Sequence, residues 1–254
     1  MSEETTRTDP DLSLMDHLVE LRSRLLRAVA AIFVVLLVLA PFARQLYGIL
    51  AKPLVSHLPE GASMIAIDVA SPFLTPFKLV LILALLIAMP VVLYQLWAFV
   101  APGLYRREQR LARPLLGMAV VLFYAGCAFA YFVVFPVVFG FFASMAPEGV
   151  AMMTDIDRYL DFVLTLFIAF GLAFQVPVAT IILVALGITT PEALGRARGY
   201  VIVGAFTVAM LLTPPDMISQ TLLALPVLLL YEMGIIASRV LVRRSAESDD
   251  QASN

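Results

Sequence analysis

The chain has 254 residues, 61% of them hydrophobic and 14% charged, with a mean hydropathy of +0.95. Soluble domains run at about 45–50% apolar and about 25% charged, so a soluble globular protein is excluded. The formal net charge of −2 offers no overall basic surface for nucleic acid, and the one cysteine, Cys127, rules out an intrachain disulfide.

Residues 1–12 are polar, contain Asp9-Pro10-Asp11, and are expected to be disordered. No cleavable signal peptide is expected, because the first apolar run starts far in and lacks a small-residue cleavage site. Ser13–Arg27 reads as a short amphipathic helix, with Leu14, Leu18, Leu21 and Leu25 at helical period. Ser13 with Asp16 forms a candidate capping box at its start. The helix leads into a first apolar run, Leu25–Ala43. Arg44–Thr75 is a mixed, proline-containing segment of loop or short interfacial helices.

Run two is Leu79–Ala101, with Pro90 inside and Tyr94, Gln95 and Trp97 near its end, where aromatic side chains suit a membrane interface. A short charged segment, PGLYRREQRLARP, precedes run three, which is Leu115–Phe135 and continues past Pro136 to Phe142. Ser144–Asp161 is a second polar loop, and run four is Phe162–Leu186, interrupted by Gln175 and Pro177. Thr190-Pro191-Glu192 reads as a helix start with proline at the first position. Run five, Tyr200–Leu212, is only 13 residues, short of the ~20 a full span requires. Pro214, Pro215 and Asp216 then make a turn, and run six extends from about Ser219 to Val242. Runs five and six are either a tilted short hairpin or one that dips in and out from the same face, with the same topology. Residues 13–242 form one membrane domain, and 243–254 are expected to be a disordered acidic tail.

Basic residues near span ends set the orientation. With the N-terminus inside, thirteen of the 17 Lys and Arg fall on inner segments and only Arg44, Lys52, Lys78 and Arg158 on outer ones. This predicts an even number of crossings. The expected fold is an all-α integral membrane protein: six transmembrane helices in a kinked, concave bundle with a short final hairpin and both termini cytoplasmic.

Polar groups inside the membrane must find partners and are candidates for function. Glu232 in run six pairs with Arg239 or reaches water. Gln175 bonds a neighbouring helix or contacts water or substrate. Asp216 reads as an N-cap for run six. No metal, nucleotide or nucleophile–base motif occurs, so neither cofactor nor enzymatic activity is expected. The inner surface carries two acids among arginines. Glu20 has Arg24 at i+4, and Glu108 stands beside Arg106, Arg107 and Arg110. Each is either satisfied by its own neighbours or a receptor for another molecule's cations.

Six stretches carry a family resemblance: HLVELRSRLL, MIAIDVASPFLTPFKL, YQLWAFVAPGLYRREQR, FAYFVVFPVVFGFFA, FGLAFQVPVA and GAFTVAMLLTPPDMISQTLLALP. In order and spacing the chain resembles the TatC family, the multispanning receptor subunit of the twin-arginine protein translocase of the bacterial inner membrane. The resemblance implies that Glu20, Arg22 and Glu108 bind the twin-arginine signal peptide of folded precursors. Two carboxylates suit two adjacent guanidinium forks, which bind bidentately where lysine is a point charge. It also implies docking of the single-span partners TatA and TatB around Met210, Leu211, Thr213 and Gln220, self-association in a multimeric complex, and transport driven by the proton-motive force. Many family members carry Glu where this chain has Gln175. The alternative, a secondary transporter of a small solute or ion, predicts paired interrupted helices and ionic midplane residues.

Overall fold

The computed structural model describes residues 10–55, 64–100, 109–144, 154–212 and 217–252. Nearly all of these are helical, as apolar backbone without water requires. In chain order they are α1 (Pro10–Leu39), a 3-10 turn (Ala40–Phe42), α2 (Ala43–Val55), β1 (Met64–Ile65), α3 (Ser71–Val100), α4 (Gln109–Phe129), a π segment (Ala130–Val134), α5 (Phe135–Ser144), β2 (Thr154–Asp155), α6 (Ile156–Ala173), α7 (Val176–Ala185), α8 (Pro191–Arg196), α9 (Arg198–Leu212) and α10 (Met217–Ala252).

Five stretches are long and apolar enough to cross a membrane: Leu18–Ile49, Ser71–Phe99, Pro114–Phe141, Ile156–Ala185 and Gln220–Val240. The sixth run is the 15-residue α9, about 22 Å long at 1.5 Å per residue against a hydrocarbon core of about 30 Å.

Three boundaries differ from expectation. α1 already begins at Pro10, so Ser13 lies inside the helix and is not its cap. α3 begins at Ser71, eight residues before the apolar run, because Pro72 is tolerated in a first helical turn. α10 continues to Ala252 through the stretch read as a disordered tail. Its alanines, glutamate and glutamine are good helix formers that extend a helix already nucleated in the bundle.

Each proline leaves a different mark, set by its missing N–H. At Pro41 the helix tightens into a 3-10 turn, and the Ala43 amide donates to the Ala40 carbonyl. Before Pro136 it widens into a π turn, and the Phe135 amide donates to the Ala130 carbonyl. Before Pro177 it breaks. The Gln175 amide donates to Leu172 at 2.9 Å, and α7 starts afresh. Pro90 stays inside α3, where the Tyr124 hydroxyl of α4 donates to the carbonyls of Leu86 at 3.1 Å and Ile87 at 3.3 Å.

The bundle has two packed groups. α3, α4, the π segment, α5 and α6 enclose Phe123, Phe135, Val138, Val163 and Leu166, all essentially fully buried. The Phe135 and Phe167 rings meet edge to face at 5.1 Å. A Cβ at Gly126 would lie 2.5 Å from the Phe170 carbonyl oxygen, so only glycine lets α4 and α6 approach this closely. α7 packs on α10, which also carries α8 and α9. Here a Cβ at Gly234 would lie 2.9 Å from the Pro177 Cα. α1 packs along α3 at the edge, with most of its apolar surface exposed.

At the end of the bundle where α3 and α6 begin, a short parallel pair joins the segments before them: Met64 with Thr154 and Ile65 with Asp155. Lys78 bonds both Asp157, at 3.5 Å, and Asp161, and the buried Thr75 hydroxyl donates to Asp157 at 3.3 Å. This clasp holds α3 to α6 and sets the far end of the helices that carry the site.

Candidate functional site

The opposite end of the bundle is built from the start of α1 and the end of α3. At the other end of these two helices a cavity is lined by Pro41, Arg44 and Gln45 of the α1–α2 junction and by Pro72, Phe73 and Pro76 of α3, so the two helices run antiparallel. The start of α1, which carries Glu20 and Arg22, and the end of α3, which carries Gln95 and Trp97, therefore lie at the same end of the pair.

Glu20 is half-buried, and its Oε1 accepts two hydrogen bonds from Arg24, from Nε at 2.9 Å and Nη2 at 2.5 Å. The other oxygen, Oε2, has no hydrogen bond among the described residues. A carboxylate accepts at about four lone-pair positions, so the intrahelical pair occupies one side of the group and leaves the other for an incoming donor. Arg22 is exposed and forms no ion pair among the described residues. Glu108 lies outside the described residues. It immediately precedes the start of α4 at Gln109 in the sequence.

Gln95 lies inside the stretch YQLWAFVAPGLYRREQR, where no role was expected of it. Its Oε1 is buried without a hydrogen-bond partner among the described residues, which is costly.

Two other groups of candidate residues occupy the second half. Gln175, half-buried at the break between α6 and α7, donates from Nε2 to the Ala119 carbonyl of α4 at 2.9 Å. It bonds a neighbouring helix, one of the two options its position allowed. Glu232 pairs with Arg198, not Arg239. Arg198 Nε bonds Oε1 at 2.5 Å and Nη2 bonds Oε2 at 2.8 Å, a two-pronged contact across 34 residues. The fold sets the start of α9 beside α10, whereas Arg239 lies two turns further along Glu232's own helix. Tyr231 reinforces the joint, its hydroxyl donating to the Leu194 carbonyl at 2.7 Å. Thr190 caps α8 as expected, accepting from the Ala193 amide at 3.2 Å with Pro191 at the first position.

Of the expected partner-docking residues, Met210 and Leu211 lie on α9 and are 50% and 78% exposed, and Gln220 is half-buried in the first turn of α10. Thr213, Pro214, Pro215 and Asp216 lie outside the described residues. Beside them, α6, α9 and α10 enclose an apolar cavity of about 430 Å³ lined by Phe170, Ala173, Ala205, Ala209, Leu212 and Leu223.

Five long apolar helices, several of them interrupted at prolines, and a carboxylate–arginine pair near the start of α1 define a multi-pass helical membrane protein. The family model for the Sec-independent protein translocase protein TatC matches residues 16–226. TatC of Azotobacter chroococcum is 59% identical over 96% of both chains, and TatC of Escherichia coli K12 is 54% identical over 93% of this chain and 92% of its own. A crystal structure of the twin-arginine translocase receptor TatC superposes with a TM-score of 0.79 at 37% identity, covering 88% of this chain and 98% of that one. The chain belongs to the TatC family of Sec-independent protein translocase proteins.

Proposed function

We propose that the chain is the receptor and scaffold subunit of a twin-arginine protein translocase. Its family membership and the likeness to the receptor crystal structure support this reading. One local observation carries the mechanism: Glu20 offers Oε2 while Arg24 holds Oε1. A folded precursor presents two adjacent arginines. One guanidinium docks on Glu20 and the other on Glu108, and Arg22 helps orient the N-terminal helix at the same surface. Arg24 holds Glu20 in one rotamer until the ligand arrives. The pair is worth only a few tenths of a kcal/mol at an exposed i,i+4 spacing, so a bidentate ligand displaces it readily.

In this reading both termini face the cytoplasm of a bacterial inner membrane, and α9 makes a sixth, short crossing. The excess of arginine at the Glu20 end supports the orientation. TatA and TatB dock by single helices against the exposed apolar face of α9 near Met210, Leu211, Thr213 and Gln220. The short α9 leaves a mismatch that the bilayer meets by thinning. The transporter reading loses its one midplane polar group, because Gln175 is already bonded to Ala119.

The test is site-specific photo-crosslinking from positions 20 and 108 to peptides bearing Arg-Arg or Lys-Lys. Both positions should capture the Arg-Arg peptide in preference, and Glu20→Ala with Glu108→Ala should abolish the preference. Unchanged capture by the double variant would refute the carboxylate clamp. Labelling of single cysteines at Ser56 and Gln109 from opposite sides of the membrane tests the orientation.

A further inference from the structure

We propose that the cavity between α7, α8 and α10 is a headgroup site for phosphatidylethanolamine, a lipid that carries both a phosphate and a primary ammonium. The cavity holds about 480 Å³ and is lined by Val184, Gly187, Thr189, Pro191, Glu192 and Arg239. It lies where two membrane spans end, at Ala185 and at Val240, which is the depth of lipid headgroups.

Local structure makes the cavity. The α7 helix closes in a C-terminal turn with Gly187 at φ +69°, and the Ile188 amide donates to the Leu183 carbonyl at 3.0 Å. That turn throws the chain sideways before Thr190 caps α8, leaving a recess bounded by α10.

The charges across the recess are opposite and unpaired. Arg239 places Nη2 within 3.9 Å of where a Cβ on Gly195 would sit, so its guanidinium lies over α8. Glu192 lies three residues before Gly195, one turn away on that face. Both side chains are exposed, and among the described residues neither forms an ion pair. A cation and an anion one helical turn apart at the membrane surface match a zwitterion with a two-carbon bridge. Arg239 takes the phosphate, and Glu192 accepts N–H donors from the ammonium. Phosphatidylcholine lacks those donors, and phosphatidylglycerol lacks the cation. Basic pockets between spans hold phospholipid heads; the carboxylate here narrows the choice.

The surface below the recess suits the acyl chains. Leu229, Met233, Ile236 and Val240 make an exposed apolar stripe at i, i+4, i+7 and i+11 along α10, and Arg239 follows Ile236 by three residues on that face. A chain lying along this stripe hangs from the phosphate at Arg239.

The test is native mass spectrometry of the full chain in detergent, titrated with an equimolar mixture of dioleoyl phosphatidylethanolamine, phosphatidylcholine and phosphatidylglycerol. The ethanolamine lipid should be retained about fivefold over each of the others, the yield of one exposed charge-assisted contact. Glu192→Gln should erase the preference over the choline lipid. Arg239→Gln should lower binding of all three, and Arg196→Gln, on the same short helix but outside the recess, should leave the preference intact. Both Glu192 and Arg239 are exposed, so the variants fold, and an unchanged thermal midpoint confirms it. Equal retention of the three lipids, preference for the glycerol lipid, or a preference that survives Glu192→Gln would each overturn the assignment.

Discussion

The Tyr124 hydroxyl of α4 bonds the Leu86 carbonyl of α3 at 3.1 Å, and Leu86 is the residue whose carbonyl Pro90 leaves without its helical donor. An α-helical carbonyl accepts from the amide four residues on, and proline has none. A neighbouring helix thus supplies the donor that the kink removed, as intramembrane backbone requires. Replacing Tyr124 by Phe should cost about 1 kcal/mol, measured by thermal unfolding in detergent. In a Pro90→Ala background the cost should shrink, because the restored backbone amide at position 90 then serves Leu86. Equal costs in both backgrounds would show that the hydroxyl's contribution does not depend on the donor missing at Pro90.

Gln175 makes the equivalent contact at the break between α6 and α7, donating to Ala119. Gln175→Leu removes the donor and should cost about 1–2 kcal/mol in thermal stability. Gln175→Glu restores the side chain that many family members carry, yet a carboxylate cannot donate. That variant makes the bond only when protonated, so its stability relative to the wild type should fall as pH rises through its titration. A Glu variant as stable at high pH as at low pH would mean that the Ala119 contact contributes nothing.

The Arg198–Glu232 pair fastens the start of α9 to α10. Neutralising either group alone leaves the other's charge without its partner, so each single change should lower the thermal midpoint. Arg198→Lys should behave like the neutral variant, because a single ammonium cannot reproduce the two-pronged contact. Exchanging the two charges, Arg198→Glu with Glu232→Arg, should recover most of the loss. A swap no better than either single change would mean the pair acts through other neighbours.

Arg24 competes with an incoming arginine for Glu20. Arg24→Gln should therefore tighten capture of an Arg-Arg peptide about twofold, in line with an i,i+4 pair worth a few tenths of a kcal/mol. Glu20→Ala should weaken capture about tenfold or more, the loss of a charge-assisted bidentate contact. Fluorescence anisotropy with a labelled peptide distinguishes these outcomes. If Arg24→Gln instead weakens binding, Arg24 holds Glu20 in position and does not mask it.

Contacts that are local in sequence were readable before any fold was known. Glu20 and Arg24 are one turn apart, and the structure shows them paired. Thr190-Pro191 announces a helix start because a cap and a first-turn proline are chemistry of adjacent residues. The break at Pro177, which interrupts run four, follows from a missing amide donor. Contacts between distant segments were not readable. Glu232 has an arginine seven residues on along its own helix, and only the approach of α9 made Arg198 its partner. Gln95 lies in a family stretch, but its Oε1, without a partner among the described residues, is a consequence of packing.

From the sequence alone came the class of protein, the number and order of apolar runs, and the family motifs that carry the twin-arginine reading. The reason is that lipid leaves the backbone one local solution, the helix, so hydropathy reports the elements directly. The tertiary structure alone decided which intramembrane polar groups meet which partners, as Glu232 meets Arg198 and Gln175 meets Ala119. Those depend on helix register and crossing, which arise from side-chain packing over long separations and are not encoded at any single position.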